Sequence, residues 1–265
     1  MKSVFYTCVT GPDNGYVHDV SNLENHGFDF VAIHDSHHDE FPGWRSINID
    51  EDYPYDKQQY GHKQRYAKTM PQKFLSAYEY SVFLDPKWEI TEDFLKLCSQ
   101  LIEEHPQWKV AAHPSRSSLY EEFLFPFSNG TLSYAECVRV IDVLIEEKVD
   151  FNSFFSSLCT WIVRRHDDTT QKIGERWFEL IQKCYEGNVR DQILFPFAVS
   201  DPAIIDRTLT IEELYETGVR LNYPNQTRVK TANWRHDFYD LIAYLHGRTG
   251  LIPQQREQAE SSQAQ

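Results

Sequence analysis

Three residues that can carry charge or move a proton, Asp35, Asp85 and His113, each stand directly after a short apolar, β-favouring run: 28–34, 81–84 and 108–112. Pro86 follows Asp85 and has no N–H for a sheet ladder, so the strand must stop with the acid at its carboxyl end. In open α/β sheets that edge is where ligands bind. Agreement between three strand ends points to one polar cleft.

Other residues offer chemistry whose meaning the sequence leaves open. His34-Asp35-Ser36-His37-His38-Asp39 supplies imidazole and carboxylate groups that suit Zn, Fe or Mn, but without a second spaced ligand pair the plainer reading is a polar loop. Lys63, Arg65, Lys68 and Lys73 make a basic run in an acidic chain, either a solvated helix face or a grip for a diphosphate. Arg190-Asp191-Gln192 sets a guanidinium, a carboxylate and an amide together, and an internal ion pair explains it as well as a site does. The glycine-rich dinucleotide and P-loop patterns, the G-x-S-x-G elbow and the H-E-x-x-H zinc pair are all missing.

Elements to hold these residues follow from pattern. Residues 3–9, 28–34, 81–84, 108–112 and 160–163 read as strands, with 10–15 a loop. The polar stretch 36–60 reads as one long loop. Residues 64–75 can be helical around Pro71. Thr91 caps a helix running to about Glu104, with Ile90 and Leu95 as its staple. Ser133 and Glu136 form a capping box before Cys137, Val140, Ile141, Leu144 and Ile145, a helical stripe. Ile173, Trp177, Leu180, Ile181 and Cys184 mark another helix, closing at Gly187-Asn188, and 237–245 a last one. Strands alternating with helices predict an α/β fold with a mainly parallel sheet.

The 265 residues are 41% hydrophobic and 14% aromatic, enough for a substantial core. A net charge of -14 argues against nucleic acid or an anionic membrane as partner. Five cysteines, widely spaced and without a C-x-x-C, read as reduced, buried thiols of a cytoplasmic protein. No apolar run approaches the ~18 residues of a membrane span, so no transmembrane segment is expected. Residues 1–252 are expected to form one catalytic domain and 253–265 a disordered, Gln/Glu/Ser-rich tail.

Taken in order, several short motifs resemble a family of GT-A-type glycosyltransferase-like proteins found among plant cell-wall proteins and bacterial and viral sugar transferases. They are Tyr6-Thr7, Ile33-His34-Asp35, Gly43-Trp44, Arg65-x-x-Lys68 before Pro71, the 78–85 strand, His113-Pro114-Ser115-Arg116, Tyr120-Glu121-Glu122, Arg164-Arg165-His166, Trp177 and Arg190-Asp191-Gln192. The resemblance spans residues 3–200. It implies a GT-A-like sheet flanked by helices and transfer of a sugar, hexose or pentose, from a nucleoside diphosphate sugar (UDP by default) to a glycan or other hydroxyl. It places Thr7 and Asp35 at the nucleoside, Arg65 and Lys68 at the diphosphate, and His113 and Arg116 at the sugar or acceptor. Asp85 takes the first position of a D-x-D, the motif that holds Mn²⁺ or Mg²⁺ on the diphosphate. The second position is Lys87, which cannot ligate a cation. Either Asp85 suffices with His236, or Lys87 replaces the metal. Asp191 is the expected base, oriented by Arg190 and Gln192, with Glu121 or Glu122 as the alternative.

Two rival readings stand beside this one. A metal-dependent hydrolase or phosphoesterase would use Asp35, His37, His38 and Asp85. A non-catalytic sugar-nucleotide or glycan-binding protein would keep the cleft without the transfer.

Overall fold

The computed structural model describes residues 2–12, 16–55, 59–184, 190–221 and 234–250. The Gly187-Asn188 helix end and the 253–265 tail lie outside them. In chain order the strands are β1 (Ser3–Val9), β2 (Phe28–His34), β3 (Arg45–Asn48), β4 (Tyr80–Leu84), β5 (Trp88–Glu89), β6 (Trp108–Ala111), β7 (Leu158–Arg165), β8 (Ile205–Asp206) and β9 (Arg220–Leu221). The helices are α1 (Tyr60–Thr69), α2 (Glu92–Glu103), α3 (Leu119–Ser128), α4 (Tyr134–Glu146), α5 (Asp168–Cys184), α6 (Asp191–Ala198), α7 (Ile211–Glu216) and α8 (Trp234–Thr249).

Seven strands form one mixed sheet in the order β3-β2-β1-β4-β7-β6-β8. Pairing is parallel from β3 through β4 and between β6 and β8, while β7 runs antiparallel to both β4 and β6. The fold is thus the mixed α/β sheet, mainly parallel and flanked by helices, expected from the sequence. Because β7 is reversed, its first residues meet the carboxyl ends of β4 and β6. The Asp85 N–H continues the β4 ladder one step, donating to the Thr160 carbonyl at 2.9 Å. Pro86 then ends it.

Strand alternation divides the core in two. Val4, Tyr6 and Cys8 face one layer with Phe83, Ile162 and Trp108, covered by α1, α3, α4, α5, α6 and α8. Phe5 and Val9 face the other with Val82, Leu84 and Val163, against residues of α2 and α7. Trp88, Trp108, Trp161 and Trp177 are fully enclosed. Burying side chains of this size contributes about 1.5–3 kcal/mol or more each. All five cysteines are buried free thiols.

The short elements β5, α6, β8, α7 and β9 carry no expectation from the sequence, and three further elements differ from its reading. The stretch 36–60 contains β3, a short strand whose residues are half-buried. Helix α3 is present although its Phe-rich stripe holds Pro126; Ser118 and Glu121 start it with a capping box. Helix α1 starts at Tyr60 and stops at Thr69, before Met70-Pro71, because the residue before a proline is driven out of the helical region.

The seating of α1 depends on Gly174 in α5. A Cβ on Gly174 would stand 2.2 Å from the Thr69 carbonyl oxygen, so only glycine lets the end of α1 lie this close. Gly174→Ala, a change that usually stabilises a helix interior, should here destabilise the protein by about 1–3 kcal/mol. Chemical denaturation measures this; equal or greater stability of the variant would refute the packing account.

Candidate functional site

The carboxyl edge of the sheet gathers the charged residues. Phe83 and Asp85 lie on the same side of β4, the side that α1 covers. From α1, the Lys68 ammonium reaches over the Phe83 ring, 5.1 Å from its centroid, and stands 5.6 Å from the Trp177 ring. It donates to Asp191 Oδ2 at 2.6 Å. Asp191 opens α6, and its carbonyl accepts the Trp177 indole N–H at 2.8 Å. Lys68 is only 6% exposed, so this pair is shielded from water.

The backbone behind Lys68 is also held. Arg164 of β7, itself buried, donates through Nη2 to the Lys68 carbonyl and to the Tyr6 hydroxyl. Tyr6 donates to the same carbonyl at 3.1 Å. That carbonyl belongs to the last turn of α1, where helical partners run out and a cation is favoured. The Arg164 guanidinium lies in the core, its Cζ 4.9 Å from the Trp108 ring centroid.

The two carboxylates ionise differently. Burial raises Asp85 to about 6; Lys68 lowers it, Asp191 raises it, and Lys87 and Arg65 lower it. Burial also works against Asp191, but Lys68 and Arg65 outweigh it and hold that carboxyl below its ordinary value. Lys68 is penalised by burial yet raised overall by Asp191 and Asp85. Arg65 and Lys87 therefore belong to the same electrostatic cluster as Lys68.

The basic run is split by the fold. Lys63 pairs with Asp50 at 2.6 Å, and Lys73 lines a cavity of about 300 Å³ at the opposite edge of the sheet, with Tyr78, Arg164 and His166. Of the four, Arg65 and Lys68 are the ones whose charge acts on Asp85. The remaining expected residues fall into two groups. Asp35 is fully buried: its carboxylate accepts from the Gly11 N–H at 2.8 Å and the His37 N–H at 3.2 Å, with His37 Nδ1 at 3.2 Å. It ties the loop after β1 to the loop after β2. Gly11 itself has φ +82° and lies against the Tyr60 ring, where no side chain fits. Thr7 sits in mid-strand, buried, on the Phe5 and Val9 face of β1 and so away from Asp85.

On the other flank, Glu122 is buried and accepts from Ser156 Oγ and Gln192 Nε2, each at 2.9 Å, with Arg116 Nη1 at 3.1 Å. This knot joins α3 to α6 and fixes the turn that presents Asp191. Glu121 instead caps α3, accepting from the Ser117 and Ser118 N–H groups at 2.6 and 3.0 Å. Burial would raise it, but those bonds hold it below its ordinary value. Both acids expected as alternative bases thus have partners inside the protein. His113 lies beside Arg116; burial, Arg116 and Arg190 lower its pKa to about 4, so it is neutral near pH 7. Arg190 stands at the N-cap of α6.

A metal fits these residues poorly. Among the described residues no group of three or more His, Cys, Asp or Glu side chains is placed to hold an ion. His37 and His38 are engaged with Asp35 and with the Gly11 carbonyl, not with Asp85. His236 lies in the first turn of α8, and its side chain is outside the described residues. Lys68, which the sequence offered as one of four basic residues, is the group that bonds Asp191 and lowers the pKa of Asp85. No local signal marks it, since its partner Asp191 is 123 positions away.

No family model and no curated protein matches this sequence. Among solved structures, mouse xyloside xylosyltransferase 1 in its apo form is similar over 77% of this chain and 83% of that chain, with 10% identity and a TM-score of 0.45. A likeness that weak assigns neither a family nor an activity. No helix among the described residues is long and apolar enough to cross a membrane.

The raised Asp85 has a consequence for stability. Its folded pKa of about 6 lies above the ordinary carboxylate value, so its ionised form disfavours the fold. The cost is absent below pH ~4 and grows as pH rises through about 6, above which it is fully present. Asp85→Asn should therefore stabilise the protein at pH 8 by about 1–2 kcal/mol, with the gain shrinking towards pH 4. Urea denaturation at both pH values checks the sign; a loss of stability at pH 8 contradicts it.

Proposed function

We propose that this chain is a glycosyltransferase that moves a hexosyl or pentosyl group from a nucleoside diphosphate sugar, UDP by default, to the hydroxyl of a glycan or small acceptor. The observation that carries the reading is the buried Lys68 ammonium set against Asp191 and Asp85 at the carboxyl edge of the sheet. The ordered motifs from Tyr6-Thr7 to Arg190-Asp191-Gln192 support it from the sequence side.

In this reading the diphosphate lies against Lys68, Arg65 and Lys87. The acceptor oxygen bonds to the anomeric carbon as the bond from that carbon to the diphosphate oxygen breaks. The electron pair leaves on the phosphate, where positive charge stabilises it. The hydroxyl proton passes to a carboxylate. Asp191, the base expected from the sequence, is held ionised by Lys68 and is a weak proton acceptor. Asp85, at about 6, is better matched to that task near neutral pH, so we assign it the base role. Asp191 then orients Lys68. Gln192, Glu122 and Arg116 hold α6 in place, while neutral His113 and Arg190 face the acceptor side. Proton removal by Asp85 corresponds to an inverting transfer. The divalent ion expected from the resemblance has no fitting set of ligands among the described residues, and no step above passes through it.

A thermal-shift panel of UDP-, GDP- and CMP-sugars tests the donor reading, since a ligand that binds only the folded state raises Tm. At least one should stabilise the protein at millimolar concentration, and Lys68→Met should abolish that shift. Absence of any shift would remove the donor assignment. Asp85→Asn should keep the donor shift while losing transfer about a hundredfold or more. Wild-type kcat should fall as pH drops below about 6, where Asp85 takes up its proton. Loss of donor binding in Asp85→Asn would instead place Asp85 at the diphosphate.

A further inference from the structure

The cluster at the strand ends contains its own cation. A departing diphosphate needs positive charge beside it, and two converging carboxylates would ordinarily supply that charge by holding a divalent ion. Here Asp191 already holds an ammonium, and Asp85 feels the same charge. The Lys68 ammonium is 2.6 Å from Asp191 Oδ2 and lies over Phe83, two residues before Asp85 on the same strand face. It is not a surface lysine that can swing aside. Its side chain is enclosed by Phe83 and Trp177, and its carbonyl is clamped by Arg164 and Tyr6. Gly174 lets the following residue, Thr69, press against α5. An ion held by Asp191 would compete for the carboxylate lone pair the ammonium already uses and would meet its charge at contact distance.

We propose that Lys68 is a resident cation standing where a divalent metal would otherwise sit, so that the site holds a diphosphate without a metal ion of its own. The role towards the diphosphate rests on the donor reading above; the displacement of a metal by the ammonium does not. Lys87, in the second position of the degenerate D-x-D, adds to the field at Asp85 but is the lesser contributor, after Lys68.

The test is direct titration of the full chain with Mn²⁺, followed by calorimetry and by the paramagnetic resonance of free Mn²⁺, without nucleotide. The wild type should show no stoichiometric binding below millimolar concentration. Lys68→Met and Lys68→Ser free Asp191 and remove the positive charge felt at Asp85, and should each bind one Mn²⁺ about tenfold or more tighter than the wild type. Lys68→Arg, which keeps the charge, should behave like the wild type. A circular dichroism spectrum and melt confirm that each variant is folded. Separately, stabilisation of the wild type by a sugar nucleotide should be unchanged in EDTA.

Micromolar Mn²⁺ binding to the wild type would overturn the proposal, as would a donor shift that vanishes in EDTA. So would folded Lys68→Met and Lys68→Ser variants that still take up no Mn²⁺. If no sugar nucleotide binds in any condition, the donor reading fails on its own, and the Mn²⁺ titrations still decide whether Lys68 displaces a metal.

Discussion

The Lys68–Asp191 ion pair is the interaction on which the candidate site depends. Burying two charges is costly, and attraction in a low-dielectric interior offsets the cost only when geometry and additional hydrogen bonds are good. Both conditions are met. The pair is short, the Lys68 carbonyl is held by Arg164 and Tyr6, and the Asp191 carbonyl is held by Trp177. Removing either charge would leave the other buried and uncompensated, a change that typically costs about 3–5 kcal/mol. The pair also links α1 to α6, two helices separated widely in the chain.

Around this pair the other acids divide into those that build and those left available. Asp35 fastens two loops, Glu121 caps a helix, and Glu122 knots α3 to α6 through Gln192 and Ser156. Each carboxylate is satisfied by donors of the protein itself. Asp85 is the exception: burial outweighs its cationic neighbours and its pKa rises. A group kept at the expense of stability, at the ligand-binding edge of a parallel sheet, is where function is expected to concentrate.

Much of the fold could be read locally. The strands β1 and β2 end where alternation and loop residues end them, and Pro86 stops β4 after Asp85. Thr91 and the Ser133–Glu136 capping box mark α2 and α4 correctly because capping is a contact between residues three apart. Helix α3 was missed because Phe123, Leu124, Phe125, Pro126 and Phe127 have no helical period, and a proline in the run argues against a helix. Strand β3 was hidden in a polar stretch because only four residues pair with β2.

The residue types fixed the chemical repertoire of the chain: an acid at the end of a buried strand, a basic run before it and a carboxylate late in the sequence. They also fixed the class of fold, since short alternating units leave few ways to bury both sheet faces. Which basic residue meets which acid was settled by packing. Lys63, Arg65, Lys68 and Lys73 look alike along the chain, yet one pairs with Asp50, two enter the site and one faces the opposite edge. The close crossing at Gly174 and the reversal of β7 bring Arg164 under Lys68 and Asp191 over it. Side-chain type is a local property, but the field at a carboxylate is a sum over neighbours from the whole chain. For that reason the pKa values of Asp85 and Asp191 part company only once α1, β4 and α6 have come together.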